Sequence, residues 1–135
     1  ADMLDTYKGE MDEVVYRRCR YVVDENQRLL DACAALEKGD YVTFGQKMNG
    51  SHEGLSRQYE VSCDELDFLA DIGHRTDGVL GARMMGGGCG CTINLVRAEA
   101  YDGYLAEATD RFAHRFGHAP RVIEVNISQG ARRIG

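Results

Sequence analysis

No stretch of the 135 residues approaches the about eighteen consecutive apolar positions that a membrane-spanning helix needs, and no charged-then-apolar leader opens the chain. A membrane partner is therefore not expected, and the expected location is the cytoplasm. The chain opens on Ala1 rather than Met, as a processed product or an excised piece would. Basic residues are in the minority: 22 acids face 16 bases, a net charge of −6, which argues against a general binder of nucleic acid or anionic lipid. Among the five cysteines there is no C-x-x-C pair, and Cys19, Cys33, Cys63, Cys89 and Cys91 form an odd set. They read as thiols packed as small apolar groups in a reducing compartment. Also missing are a Gly-Lys-Ser/Thr nucleotide loop, a Ser-His-Asp order and a clustered carboxylate pair. His52, His74, His114 and His118 do not make a metal set: His114 and His118, four apart, have no carboxylate or third ligand nearby in sequence and fit better as cations at a helix C-terminus.

What is present is an ordinary globular composition, 44% apolar and 28% charged, long enough for one domain over residues 1–135. Charge is uneven. Residues 1–78 carry 17 acids and 9 bases, and residues 79–135 carry 5 acids and 7 bases. Solvated faces of different sign explain this, as does a second half that must tolerate an anion.

Periodicity predicts a helix from about Glu10 to Glu37, with Val15, Cys19, Val22, Asn26, Leu29, Cys33 and Leu36 on one inward stripe and Gly39 as terminator. Asn26 reads as a polar group satisfied within a helix interface. Asp40 is placed to cap a second helix with Tyr41, Phe44, Met48, His52, Leu55 and Tyr59 on one side. Gly45, Gly50 and Gly54 lie inside it at about 1 kcal/mol each relative to Ala, a cost tolerable where another backbone packs close. Ser62 and Glu65 have the spacing of a capping box for a third helix ending near Gly73. Beyond Gly78 the period changes. Val79 to Met85 and Cys91 to Val96 read as strands around a glycine turn, and a fourth helix runs from about Glu99 to Phe116. Pro120, the only proline, cannot continue that helix. Ile123, Val125 and Ile127 alternate as a third strand. The order is an α+β plan.

The unusual stretch is Gly86-Gly87-Gly88-Cys89-Gly90. Glycines at this density expose backbone N–H groups, which is how loops cradle phosphate oxygens. Glycine turns between strands are nevertheless more often plain hairpins. The candidate anion-facing residues are Gly86, Gly87, Gly88 and Gly90.

Four motifs, in order, resemble those of galactokinases, members of the GHMP small-molecule kinase family. Arg17-Arg18-Cys19-Arg20-Tyr21-Val22-Val23-Asp24-Glu25-Asn26-Gln27-Arg28 resembles R-R-x-R-H-V-x-x-E-N-x-R. Phe44 to His52 is similar to F-G-x-L-M-x-x-S-H, and Tyr59 to Asp67 to Y-E-V-S-C-P-E-L-D. Gly81 to Gly88, followed by Cys91-Thr92-Ile93, is similar to G-A-R-M-T-G-G-G-F-G-G-C-T-I, the third GHMP motif. This chain has Met85 in place of Thr, Cys89 in place of Phe, and one glycine fewer before Cys91.

The resemblance implies the C-terminal domain of an enzyme that moves the γ-phosphoryl group of Mg-ATP to the anomeric hydroxyl of galactose. It also implies a ferredoxin-like sandwich, an antiparallel sheet with helices on one face plus extra N-terminal helices, and puts the glycine motif beside the phosphates. The family's sugar-binding residues, serine-rich nucleotide loop and catalytic aspartate lie upstream of this region, so no catalytic residue is expected in this chain. The shortened turn is expected to alter the reach of the loop and the register of the strand after it. A sugar-sensing regulator on the same scaffold, an N-acetylgalactosamine kinase and an independent ligand- or RNA-binding module are the alternatives. The acidic balance and the lack of aromatic RNA-binding strands weigh against the last. A missing fourth strand would leave a sheet edge, or an uncovered interdomain surface, open to self-association.

Overall fold

A computed structural model describes residues 2–87, 89–125, 130 and 133. Helix α1 spans Asp2–Thr6, α2 Glu13–Glu37, α3 Tyr41–Gly54, α4 Asp64–Arg75 and α5 Tyr101–Phe116; strands β1 (Val79–Met85) and β2 (Cys91–Val96) stand between α4 and α5. The α+β plan holds. The described residues form one two-stranded antiparallel sheet.

Helix α2 starts later than Glu10 because Asp12 caps it: its carboxylate accepts the N–H groups of Val14 and Val15, at 2.9 and 3.2 Å. The expected inward stripe of α2 faces out. Val15, Val22, Leu29 and Leu36 are 45–62% exposed, and Asn26 is exposed as well, so it sits in no interface among the described residues. The face that packs is instead marked by buried Tyr21 and Ala35. Heptad-like spacing locates a stripe on a helix but not the side from which a neighbour arrives, and α2 also lays polar Glu25 and Arg28 toward α3.

Asp40 caps α3 as expected, accepting the Thr43 N–H at 3.0 Å. The glycines of α3 explain themselves. A Cβ on Gly45 would lie 2.0 Å from the Leu80 carbonyl oxygen, and one on Gly54 would lie 2.4 Å from the Tyr21 ring. Gly81 returns the contact, its Cβ position being 2.6 Å from the Gly45 oxygen. Helix and strand backbones thus touch at the Gly45–Gly81 crossing. Tyr41, expected inward, is 55% exposed. The segment Leu55–Tyr59 is a π-helical turn that ends at Glu60 in the left-handed conformation (φ 62°).

The capping box at α4 does not form. Cys63 is the cap residue and makes no side-chain cap bond, while Ser62 donates to the Asp67 carboxylate at 2.5 Å. Asp67, in the first turn of α4, accepts the hydroxyl proton and turns the Ser62 side chain toward its carboxylate. The core lies where α4 and α5 meet the sheet: Leu66, Ala70, Ile72, Ala82, Met84, Tyr104, Ala108 and Phe112 are buried. Burial pushes the Tyr104 hydroxyl up to about 12.

The third strand is the remaining difference. Residues 121–125 are in no strand, with Val122, Ile123 and Val125 50–70% exposed; Asn126, Ile127 and Ser128 lie outside the described residues. Alternation records which face a strand would bury, yet a strand also needs a ladder partner, and among the described residues β2 pairs only with β1.

Candidate functional site

The glycine turn closes the β1–β2 hairpin. Met85 pairs with Cys91, Met84 with Thr92 and Arg83 with Ile93, so the shortened turn leaves the adjoining ladder in step; the irregularity falls at the far end, between Val79 and Gly81. Gly86 adopts φ +76°, which favours glycine, and no atom lies within 4 Å of a Cβ placed on Gly86 or Gly87. Gly86, Gly87 and Gly90 are exposed, and a Cβ on Gly90 would press on the Met85 carbonyl oxygen at 2.9 Å. Gly88 lies outside the described residues. The turn therefore offers open space over its backbone, the condition for an anion to approach main-chain N–H groups.

Sequence reasoning missed what covers the outer edge of β1. The Ala82 N–H donates to Asn49 Oδ1 at 2.8 Å, and the Ala82 carbonyl accepts from His74 Nε2 at 2.8 Å. The Met84 N–H donates to His52 Nδ1 at 3.1 Å, and the Met84 carbonyl accepts from Arg83 Nε at 3.0 Å. Four side chains thus occupy the groups through which another strand would add. Asn49 and His52 are one helical turn apart on α3, a spacing that could have signalled a shared target.

His52 is 5% exposed. Because its Nδ1 accepts, the proton sits on Nε2, 3.3 Å from Asp67 Oδ1. Burial holds the imidazole below its ordinary value, against the pull of Asp67; His74 and Arg83 add to the lowering. Asp67 also accepts from Ser56 at 2.7 Å. These residues, with Glu53, Arg57 and Asp71, line a cleft beside α3 and α4. Its acids are already engaged: Glu53 with Arg57 and Asp71 with Arg75. Three carboxylates against one lining arginine make it a poor seat for phosphate.

The cysteines depart from expectation. Cys63 and Cys89 are joined as a disulfide, while Cys33 and Cys91 are free and exposed and Cys19 is free and half-buried. The pairing unites positions 26 residues apart in sequence, which no local spacing could reveal. Ligand atoms of Cys63, Glu65 and Cys89 lie within 4.8 Å of one another, but the sulfurs of a disulfide offer no thiolate to a metal. His114 lies in the last turn of α5, as a helix-end cation would.

Residues 32–94 match the family described as GHMP kinases C terminal. The galactokinase of Clostridium beijerinckii is 39% identical over 125 residues, covering 92% of this chain and 32% of that protein. The galactokinase of Streptococcus thermophilus is 43% identical over 122 residues, covering 90% and 31% respectively. The crystal structure of Lactococcus lactis galactokinase complexed with galactose superposes with a TM-score of 0.81 at 33% identity, over 87% of this chain and 31% of that one. The chain spans about a third of the length of the relatives it matches.

Proposed function

We propose that residues 1–135, of which residues 32–94 match the family described as GHMP kinases C terminal, are the C-terminal domain of an ATP-dependent galactokinase. The observation that carries the reading is the 0.81 superposition at 33% identity on a galactokinase. The assignment rests on the parent protein, since the part of the relatives beyond this match is twice as long as the match itself.

Phosphoryl transfer needs alignment and charge neutralisation more than covalent help. In this reading Gly86, Gly87, Gly88 and Gly90 turn main-chain N–H dipoles toward the phosphate oxygens of ATP. The open space over Gly86 and Gly87 fits such a group. Magnesium, when bound, screens the charge that develops on the phosphates. Its carboxylate ligands, the base and the sugar-binding groups are assigned to the remainder of the parent, and the acids of the cleft beside α3 are spent on Ser, His and Arg partners. The exposed apolar residues of α2 are read as the surface that the rest of the enzyme covers.

Expression of the parent with its upstream region, assayed for ADP release with galactose, tests the assignment. Galactose-dependent release is expected from the parent and none from the 135-residue chain alone. Normal turnover by the chain alone would overturn the reading. Turnover with N-acetylgalactosamine but not galactose would favour the related kinase, and sugar binding without turnover would favour the sensor.

A further inference from the structure

The glycine turn is held at one place by a bond that the hairpin does not require. Cys89, inside the turn, is linked to Cys63, the cap residue of α4, with the two Cα atoms 5.8 Å apart. Cys89 occupies one of the positions at which this chain departs from the galactokinase-like motif. It also adopts φ +53°, a conformation that non-glycine side chains seldom take up without support. No atom lies within 4 Å of a Cβ placed on Gly86 or Gly87, and the sulfur bridge ties the turn at Cys89 to the start of α4. Cys89 is exposed and Cys63 half-buried, which leaves the pair within reach of small thiols. The Glu65 carboxylate shares their neighbourhood. Two thiolates beside it would crowd three negative charges into 4.8 Å, and forming the disulfide removes two of them.

We propose that Cys63 and Cys89 form a reversible redox latch that pins the glycine turn at Cys89 to the start of α4 when oxidised and frees it when reduced. The Cys89 thiolate attacks one sulfur of a small disulfide such as oxidised glutathione and expels one glutathione thiolate. The Cys63 thiolate then attacks the Cys89 sulfur of the mixed disulfide and expels glutathione. The protein thiols give up two protons and two electrons, and the small disulfide leaves as two thiols; an excess of dithiol drives the reverse. The latch itself stands on the geometry, while its effect on phosphoryl transfer rests on the kinase reading above: a pinned turn keeps its open space but loses the freedom to close further on a bound phosphate.

The 135-residue protein, equilibrated with oxidised glutathione or with dithiothreitol, is alkylated in denaturant and mapped by mass spectrometry. Oxidation is expected to leave three labelled thiols, Cys19, Cys33 and Cys91, with a Cys63–Cys89 cross-linked peptide; reduction is expected to expose five. Amide exchange over residues 86–90 should slow at least about tenfold on oxidation, and Cys89→Ser, a change of similar size at an exposed position, should abolish that difference. Five labelled thiols after oxidation, a different pairing such as Cys89–Cys91, unchanged exchange, or a stoichiometric zinc ion retained by the reduced pair would each overturn the latch. In the parent kinase, oxidation should lower turnover about tenfold with recovery in dithiothreitol, and a redox-insensitive turnover would overturn the link to catalysis. A parent inactive in both states, with the thiol map and exchange as expected, would count against the kinase reading and leave the latch standing.

Discussion

At Gly45 the absence of a side chain is a packing requirement. A Cβ would meet the Leu80 carbonyl oxygen at 2.0 Å, and the obstacle is backbone, which cannot rotate aside. Gly45→Ala is expected to destabilise the fold by about 3 kcal/mol through overpacking, read as a lower urea midpoint at unchanged slope. His52 carries a pH dependence whose sign follows from its surroundings. Burial favours the neutral ring in the folded state, so the unfolded chain, with its histidine near 6.5, binds more protons below that value. The stability from His52 is full above about pH 6.5 and is lost as the pH falls toward the lower, folded value. Urea titrations at pH 7.5 and 5.5 should differ in that direction. His52→Asn keeps an acceptor near the Met84 N–H and removes the titrating ring, so it should reduce the difference; an unchanged pH slope in that variant would assign the effect elsewhere.

Among the elements, β1 depends most on its neighbours. One edge pairs with β2 and the other is satisfied by Asn49, His52, His74 and Arg83 side chains. Asn49→Ala would leave the Ala82 N–H without its partner and is expected to cost about 1–3 kcal/mol, with faster amide exchange at Ala82 as the local signature. The β1 and β2 boundaries were legible because Gly78 and the glycine cluster bracket two short apolar runs. The Ser62–Glu65 box was not, because Cys63 takes the cap position and the Ser62 side chain turns to donate to Asp67. Tertiary packing put the Asp67 carboxylate 2.5 Å away. For α2, periodicity identified a stripe, but Leu29 at 62% and Leu36 at 50% exposure show that it is not the side facing α3.

For the molecule as a whole, the uncovered face of α2 is the main liability. Leu29 and Leu30 are 62% and 63% exposed, with Val22 at 45% and Leu36 at 50%. Strand addition at the β1 edge is blocked, and the isolated chain is expected to associate through the exposed apolar residues of α2 rather than through the outer edge of β2. Sedimentation velocity across a hundredfold concentration range should show a rising sedimentation coefficient, and Leu29→Glu with Leu30→Glu should hold the chain monomeric. A monomer at every concentration would reject that surface.

By itself the sequence determined helices α2 to α5, the strands β1 and β2, the site of the glycine turn and the likeness to galactokinases, since each depends on local spacing, on turn chemistry or on motifs read in order. Only the tertiary structure decided which face of α2 stays uncovered, that Asn49, His52 and His74 seal β1, and that Cys63 reaches Cys89. Those outcomes depend on residues far apart in the chain arriving within a few ångströms of one another, and local periodicity carries no record of such distances.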